Sequence, residues 1–155
     1  MNIKLCKEQV KRHEGEVLKI YEDSLGYKTL GIGHLCQPND PEYDWVVGTS
    51  VSQEVVDMYY ADDFEKHYKE AIHVFGSHED WEELPEVIQR VLVNMCFNLG
   101  GSRLGKFRNM LKACKEHNWK EMAVQMEDSR WYGQVGRRSK ELQDMVLGKV
   151  VGSLK

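Results

Sequence analysis

The chain has 155 residues, 41% hydrophobic and 30% charged, which is enough for one domain or two small lobes that share a core. Its net charge of −4 argues against nucleic acid as the main partner, because phosphate binding needs a basic surface. No run of residues approaches the roughly 18–20 apolar residues of a membrane span, and no apolar stretch near the start indicates a secretory signal peptide.

The cysteines and histidines give no sign of a metal site. Four cysteines, at positions 6, 36, 96 and 114, form no C-x-x-C pair, and no group of histidines and cysteines has the spacing of zinc ligands. His67 and His73 are six residues apart, off one helical face. We therefore expect reduced thiols, no metal and no cofactor.

The first predicted helix covers residues 3–13, where apolar residues recur at helical spacing. Gly15 stands where a helix C-cap glycine belongs, so Glu14 should lie at the negative end of the helix dipole. A carboxylate is disfavoured there, and the protonated acid should be correspondingly favoured.

A β-hairpin is predicted next. Residues 18–21 alternate as a strand does, residues 22–26 are rich in turn formers, and residues 27–33 return as a second strand. Strand parity places Thr29 on the same face as Gly31 and Gly33, which leaves room for a ligand beside the threonine.

Glu14, Asp23 and Thr29 together suggest hydrolysis of a glycosidic bond. That reaction needs one carboxyl group to protonate the leaving oxygen and a second to handle water or developing positive charge. Either acid alone is typical of a solvated surface, and only the combined spacing favours a site.

The rest of the chain is predicted to be helical after a loop. Residues 35–50 are rich in turn formers, and Ser52 is a plausible N-cap for a long helix to about His73. The helix over 86–99 is apolar around most of its circumference, as expected at the centre of a helical lobe. Further helices are predicted over residues 78–83, 106–117, 119–127 and 137–147. The predicted fold class is α+β, mostly α.

The block from Glu14 to His34, with the order Glu, eight residues, Asp, five residues, Thr and then G-I-G-H, resembles the active-site signature of phage-type lysozymes of glycoside hydrolase family 24. Further similar blocks are M-N-I at the start, N-M-C-F-N at 94–98 and S-R-W-Y at 129–132. The resemblance implies one lysozyme domain over 1–155, with a small β-containing lobe at 14–50. The helical lobe would be 1–13 with 51–155, including a connecting helix at 51–75, and a cleft would separate the lobes.

The resemblance also implies roles for residues. Glu14 would be the general acid, and Asp23 with Thr29 would position the attacking water. His34 would pair with Asp63 on the connecting helix, with Asp62 as the fallback, and the pair would hold the two lobes together. Residues implied in substrate binding are Leu35, Phe97, Asn98, Met110, Gln125 and Trp131.

The charge of Glu14 is expected to depend on two opposed effects. The resemblance places Arg138 where it can pair with Glu14, which would favour the charged form of the acid and oppose the effect of the helix end.

Asn98 and Trp131 are expected to pack together, and Asn98 either faces the substrate or bonds within its own lobe.

The resemblance implies the function of a muramidase, an endolysin that hydrolyses the β-1,4 bond between N-acetylmuramic acid and N-acetylglucosamine in peptidoglycan with inversion at the anomeric carbon. The alternatives are a catalytically inactive peptidoglycan-binding module and a lytic transglycosylase. A monomer is expected, with peptidoglycan glycan strands as the partner. A phage protein of this kind would accumulate in the host cytoplasm and act on the cell wall after release.

Overall fold

The computed structural model describes residues 1–148. Its sheet is antiparallel, with three strands in the order β1 (Val17–Glu22), β2 (Lys28–Gly31) and β3 (His34–Leu35). The described helices are α1 (Ile3–Glu14), α2 (Gln53–Phe75), α3 (His78–Glu82), α4 (Glu86–Leu99), α5 (Gly101–Leu104), α6 (Arg108–Lys115), α7 (Trp119–Glu127), α8 (Arg130–Val135) and α9 (Arg137–Val146). The chain is therefore α+β and mostly α, which confirms the predicted fold class.

The chain divides into two compact units, one from Lys7 to Lys66 and the other made of Met1–Cys6 and the chain from His67 onward. The first unit is wider than the 14–50 lobe of the sequence analysis. The reason is packing, because Val56 and Tyr59 of α2 belong to the same buried cluster as Ile20 and Leu30 of the sheet. The assignment of 1–155 to one domain stays a prediction.

The hairpin is shorter than predicted. β2 ends at Gly31, and residues 32–33 turn the chain into β3, which pairs Thr29 with Leu35 and Leu30 with His34. Gly31 and Gly33 have φ values of +61° and +65°, in the left-handed region where a side chain is disfavoured. The two glycines therefore form a tight turn, and strand parity does not extend to Gly33.

The 36–50 segment is mostly loop, as expected, but it is well anchored. A 3-10 helix spans Pro41–Asp44, and the loop returns to β1 through a hydrogen bond of 2.9 Å from the Ile20 amide to the Thr49 carbonyl. Lys28 Nζ donates to the carbonyls of Tyr43 and Trp45 at 3.1 and 2.8 Å. The loop is thus fixed on the sheet.

The unit that starts at His67 is organised around α4, whose residues are nearly all buried. Pro85 is the N-cap of α4, and the Asn118 side chain caps α7 by accepting from the Glu121 amide at 3.2 Å. The predicted 106–117 helix is present as the shorter α6, and α5 is a separate short helix before it that was not predicted. Across residues 1–148, no helix combines the length and the apolar character that crossing a membrane requires.

Candidate active site

Glu14 is the last residue of α1, as predicted. The Gly15 amide donates to the Lys11 carbonyl at 2.9 Å, and Gly15 has a φ of +76°, so the glycine ends the helix. The Glu14 side chain is partly exposed. The carboxyl group therefore lies at the negative end of α1 and remains accessible to solvent.

Gly33 faces the Glu14 carboxyl group. A Cβ at Gly33 would lie 2.5 Å from Glu14 Oε1, closer than real contacts allow. Gly31 instead packs against the core, since a Cβ there would lie 2.9 Å from Val56 Cγ1. The prediction that both glycines leave open space for a ligand is therefore wrong, because Val56 fills that space at Gly31 and the Glu14 side chain fills it at Gly33.

Asp23 is held by the turn that joins β1 and β2. Its Oδ1 accepts hydrogen bonds from the amides of Leu25 and Tyr27, each at 2.9 Å. This arrangement of an aspartate bonding to amides two and four residues later is typical of Asx turns. The turn fixes the position of a carboxylate that is still partly exposed.

Thr29 is 5% exposed and lies opposite Tyr21 in the pairing of β1 with β2. Its hydroxyl group donates to the Tyr27 carbonyl at 3.0 Å. Because the hydroxyl proton is used in that bond, the oxygen of Thr29 can only accept a hydrogen bond from a water molecule.

Tyr21 is the common neighbour of the three predicted catalytic residues, and sequence reasoning missed it. Its side chain shares a sheet face with Thr29, since directly paired residues of antiparallel strands point the same way. Burial raises the pKa of Tyr21, and the negative charges of Glu14 and then Asp23 raise it further. Glu14, Asp23, Thr29 and Tyr21 form what we call the hairpin cluster. The only sequence signal for Tyr21 was its alternation with Ile20.

A second group of polar residues surrounds His34. Its Nδ1 lies 2.7 Å from Asp63 Oδ2, and its Nε2 lies 2.8 Å from Asp40 Oδ2. The ring stacks on Tyr59, with centroids 3.9 Å apart, and the Tyr59 hydroxyl donates to the buried carboxylate of Glu42. We call these five residues the histidine network.

The predicted pair of His34 with Asp63 is present, but two expectations need correction. Both residues belong to the Lys7–Lys66 unit, because this part of α2 packs with the sheet, so the pair acts within that unit. Asp40, which the sequence analysis left in an unassigned loop, is a second carboxylate partner.

Titration of the network follows from its burial and its partners. Burial alone would lower the pKa of His34, but the hydrogen bonds to Asp63 and Asp40 outweigh it, and the pKa of His34 is raised. Burial alone would raise the pKa of Asp40, but bonds from the Gln37 amide and from His34 outweigh it, and the pKa of Asp40 is lowered.

Several predicted substrate-binding residues meet in a pocket of about 770 Å³ in the unit that starts at His67. Met110, Gln125 and Trp131 line it, together with Phe107. Gln125 Nε2 donates to Glu121 Oε2 at 2.8 Å. The pocket also contains four basic side chains and one acidic side chain, namely Arg103, Lys106, Arg108, Arg130 and Asp128.

Asn98 and Trp131 are in contact, as predicted, through a hydrogen bond of 2.7 Å from Trp131 Nε1 to Asn98 Oδ1. This is the alternative in which Asn98 bonds within its own lobe. Phe97 does not line the pocket, and its ring packs edge-on against His67 with centroids 5.1 Å apart.

Two predicted residues lie elsewhere. Leu35 is exposed on β3, in the Lys7–Lys66 unit. Arg138 is buried on α9 and donates from Nε to Asn94 Oδ1 at 2.9 Å and from Nη2 to the Asn94 carbonyl at 3.3 Å. Pairing of Arg138 with Glu14 stays a prediction, as do the roles of all these residues in substrate binding and catalysis.

Comparisons with known proteins agree on one family. The family model for phage lysozyme matches residues 11–145. The chain is 30% identical over 149 residues to probable T4-type lysozyme 2 of Dictyostelium discoideum, covering 86% of this chain and 88% of that protein. It is 26% identical over 164 residues to probable T4-type lysozyme 1 of the same organism, covering 90% and 92%. It is also 30% identical over 155 residues to the pre-baseplate central spike protein Gp5 of Enterobacteria phage T4, covering 90% of this chain and 27% of that protein. Because the family match spans most of the sequence, the chain belongs to the phage lysozyme family.

Proposed function

We propose that this protein is an inverting muramidase that cleaves the β-1,4 bond between N-acetylmuramic acid and N-acetylglucosamine, with Glu14 as the general acid. Membership of the phage lysozyme family makes it a lysozyme-like muramidase, with peptidoglycan as the substrate class. The bond, the stereochemistry and the roles of residues are the proposal. The observation that carries it is the meeting of Glu14, Asp23 and Thr29 around Tyr21.

In the first part of the proposed reaction, Glu14 transfers its proton to the glycosidic oxygen as the bond to the anomeric carbon breaks. Glu14 is the last residue of α1, and its carboxyl group is partly exposed and accessible to a substrate. Because Gly33 has no side chain, the Glu14 carboxyl group can lie against the backbone there, and this contact helps to fix the position of the carboxyl group. Charge then develops on the sugar, and the Asp23 carboxylate stabilises it.

In the second part, a water molecule attacks the anomeric carbon from the opposite face, and Asp23 accepts its proton. Thr29 can only accept a hydrogen bond from this water, because its own proton is held by the Tyr27 carbonyl. One water proton then points to Thr29 and the other to Asp23, which leaves a lone pair of the water directed at the sugar. Proton exchange with solvent restores both carboxyl groups.

The test is digestion of purified peptidoglycan from a Gram-negative species, followed by mass analysis and by NMR of the new reducing ends. We expect products with one added water molecule, a reducing N-acetylmuramic acid and initial formation of the α anomer. A 1,6-anhydro product would instead identify a lytic transglycosylase. Binding to peptidoglycan without any product would identify an inactive binding module, and an initial β anomer would overturn inversion. Localisation in a host cytoplasm before release stays a proposal.

A further inference from the structure

Three side chains with metal-binding atoms meet in the unit that starts at His67, away from the hairpin cluster in sequence. His67 and Glu70 lie on α2, and Cys96 lies on α4. One ligand atom from each residue lies within 4.8 Å of the other two. We propose that these residues bind a divalent transition metal with affinity for sulfur, with Zn²⁺ as the first candidate.

The geometry is close to what a tetrahedral ion requires. His67 Nδ1 lies 2.7 Å from Glu70 Oε1, and Cys96 Sγ lies 3.9 Å from the same oxygen. Zinc bonds of roughly 2.0–2.3 Å place two ligand atoms about 3.3–3.7 Å apart. The histidine and glutamate must therefore separate slightly and the thiol must approach slightly, and small side-chain rotations supply both changes.

The donor set selects the kind of metal. Thiolate and imidazole ligands suit zinc, cobalt and copper, whereas calcium and magnesium prefer sites made only of oxygen atoms. A thiolate and a carboxylate also balance the two positive charges of the ion. As the metal–sulfur bond forms, the proton of Cys96 leaves to solvent, and neutral His67 donates its lone pair.

The exposure of the three side chains indicates the side from which the ion would enter. Cys96 is fully buried, whereas the side chains of His67 and Glu70 are 18% and 35% exposed. The metal would therefore enter from the side of the histidine and glutamate, and a water molecule would complete its coordination. Gly101 favours this arrangement, because a Cβ there would lie 3.2 Å from Glu70 Oε2 and would crowd the carboxylate.

Sequence reasoning missed this site because the ligands come from two helices. His67 and Glu70 are three residues apart, which places them on one helical face, but the thiol follows 26 residues later. The expectation of no metal considered only ligand spacing within short motifs. The proposal does not depend on the proposed muramidase mechanism, since none of the three residues belongs to the hairpin cluster.

The experiment uses the full chain, reduced and freed of metal with a chelator, and titrates it with Co²⁺ as a spectroscopic probe. We expect one Co²⁺ per chain, with the near-ultraviolet band of thiolate-to-cobalt charge transfer, and loss of that band when Zn²⁺ is added. The C96S variant should lose the band, and the H67N and E70Q variants should bind Co²⁺ at least about tenfold more weakly. Absence of the band in the wild type would overturn the proposal.

Matched controls separate this site from incidental binding. Cys114 is also fully buried, and burial raises its pKa to about 12, so the C114S variant should keep the band. His78 and Glu82 form an exposed pair at 3.7 Å, and the H78N variant should keep the affinity. If C96S does not fold, the wild type and C114S still test the proposal. Loss of the band in C114S would assign the metal to Cys114 and contradict the proposed site.

Discussion

The hairpin cluster and the histidine network lie in the same compact unit and both contain carboxyl groups and a tyrosine, yet their charged side chains differ in how deeply they are buried. In the network, both nitrogen atoms of His34 contact carboxylates, and its side chain is only 8% exposed. In the cluster, Glu14 and Asp23 are partly exposed, and the Glu14 carboxyl group lies against a glycine. Charged groups buried against one another stabilise the fold, whereas partly exposed carboxyl groups remain accessible to a substrate.

The largest expected effect tests the chemical side of this comparison. Glu14→Gln keeps the shape of the side chain and removes the proton that the proposed reaction needs. We expect the rate of peptidoglycan hydrolysis to fall by roughly 10²–10⁴, the usual contribution of a general acid. The melting temperature should stay close to that of the wild type, because the glutamine fits the same space beside Gly33.

The matched control for this variant is Glu8→Gln, on the same helix and exposed to solvent. It makes the same chemical change outside the cluster and should leave both the rate and the melting temperature unchanged. A Glu14→Gln enzyme that lyses cells at the wild-type rate would remove Glu14 from the mechanism.

The next effect tests the structural side. His34→Asn removes the imidazole from between Asp40 and Asp63 and leaves two largely buried carboxylates without their shared partner. We expect a loss of about 3–5 kcal/mol in the free energy of unfolding, the usual result of breaking a buried ion pair. Activity per folded molecule should change little. Denaturant unfolding and the hydrolysis rate measure the two quantities.

The pH dependence of this loss has a definite sign. The pKa of folded His34 is raised above 6.5, so its contribution is complete below pH 6.5 and is lost as the pH rises through the raised value. The pKa of folded Asp40 is lowered below 3.8, so its contribution is complete above pH 3.8 and is lost as the pH falls through the lowered value. The difference between wild type and His34→Asn should therefore be largest between pH 3.8 and pH 6.5.

Two controls accompany the unfolding measurements. His78→Asn changes an exposed histidine and should shift the free energy of unfolding by no more than about 0.5 kcal/mol. A double-mutant cycle of His34→Asn with Asp63→Asn isolates the pairing energy, which should be lost as the pH rises through the raised pKa of His34. Additive losses at every pH would show that the two residues are not coupled.

The contrast between the two regions also shows what the sequence could predict. The placement of Glu14 at the end of α1 and of Asp23 in the turn is predicted correctly because these positions follow from local capping and turn signals, whereas their roles stay predictions. α4 and α7 were predicted with their observed bounds because Pro85, Asn118 and an apolar period mark them.

The features that could not be predicted lie in segments where apolar residues do not recur at a regular spacing. Asp40 sits in a loop whose composition indicates turns but not partners, so its contact with His34 was not foreseen. α8 contains Gly133 and has only six residues, and a helix of that length is too short to show a helical pattern in the sequence. Gly31 was assigned to an open face because strand parity assumed a strand that in fact ends there.

A smaller effect tests how the backbone supports the cluster. Gly33→Ala places a methyl group against Glu14 Oε1 and forces an alanine into a left-handed conformation. We expect a loss of about 1–2 kcal/mol in stability from the backbone strain. We also expect a fall of about tenfold to a hundredfold in kcat, because displacing a catalytic group by about 1 Å has effects of that size.

Gly48→Ala separates these two contributions. Gly48 also has a positive φ, +97°, but a Cβ there meets nothing within 4 Å. This variant should lose stability to a similar degree and keep its kcat. Equal losses of kcat in both variants would mean that strain alone is responsible, and that the contact with Glu14 has no role.

The smallest effect concerns salt. Buried charges are poorly screened, whereas exposed charges separated by more than the Debye length, about 10 Å at 0.1 M salt, interact little. The pairing energy within the histidine network should therefore remain nearly constant as salt increases. The proposed activity depends on a partly exposed cluster in a chain of net charge −4, and long-range attraction to an anionic wall should be weak or adverse. Between low and moderate salt, the hydrolysis rate should change by less than about threefold or rise. Rates and double-mutant cycles measured across the same salt series test both statements. A steep fall in activity with salt would instead show that a local basic surface, such as the four cations of the pocket, attracts the substrate.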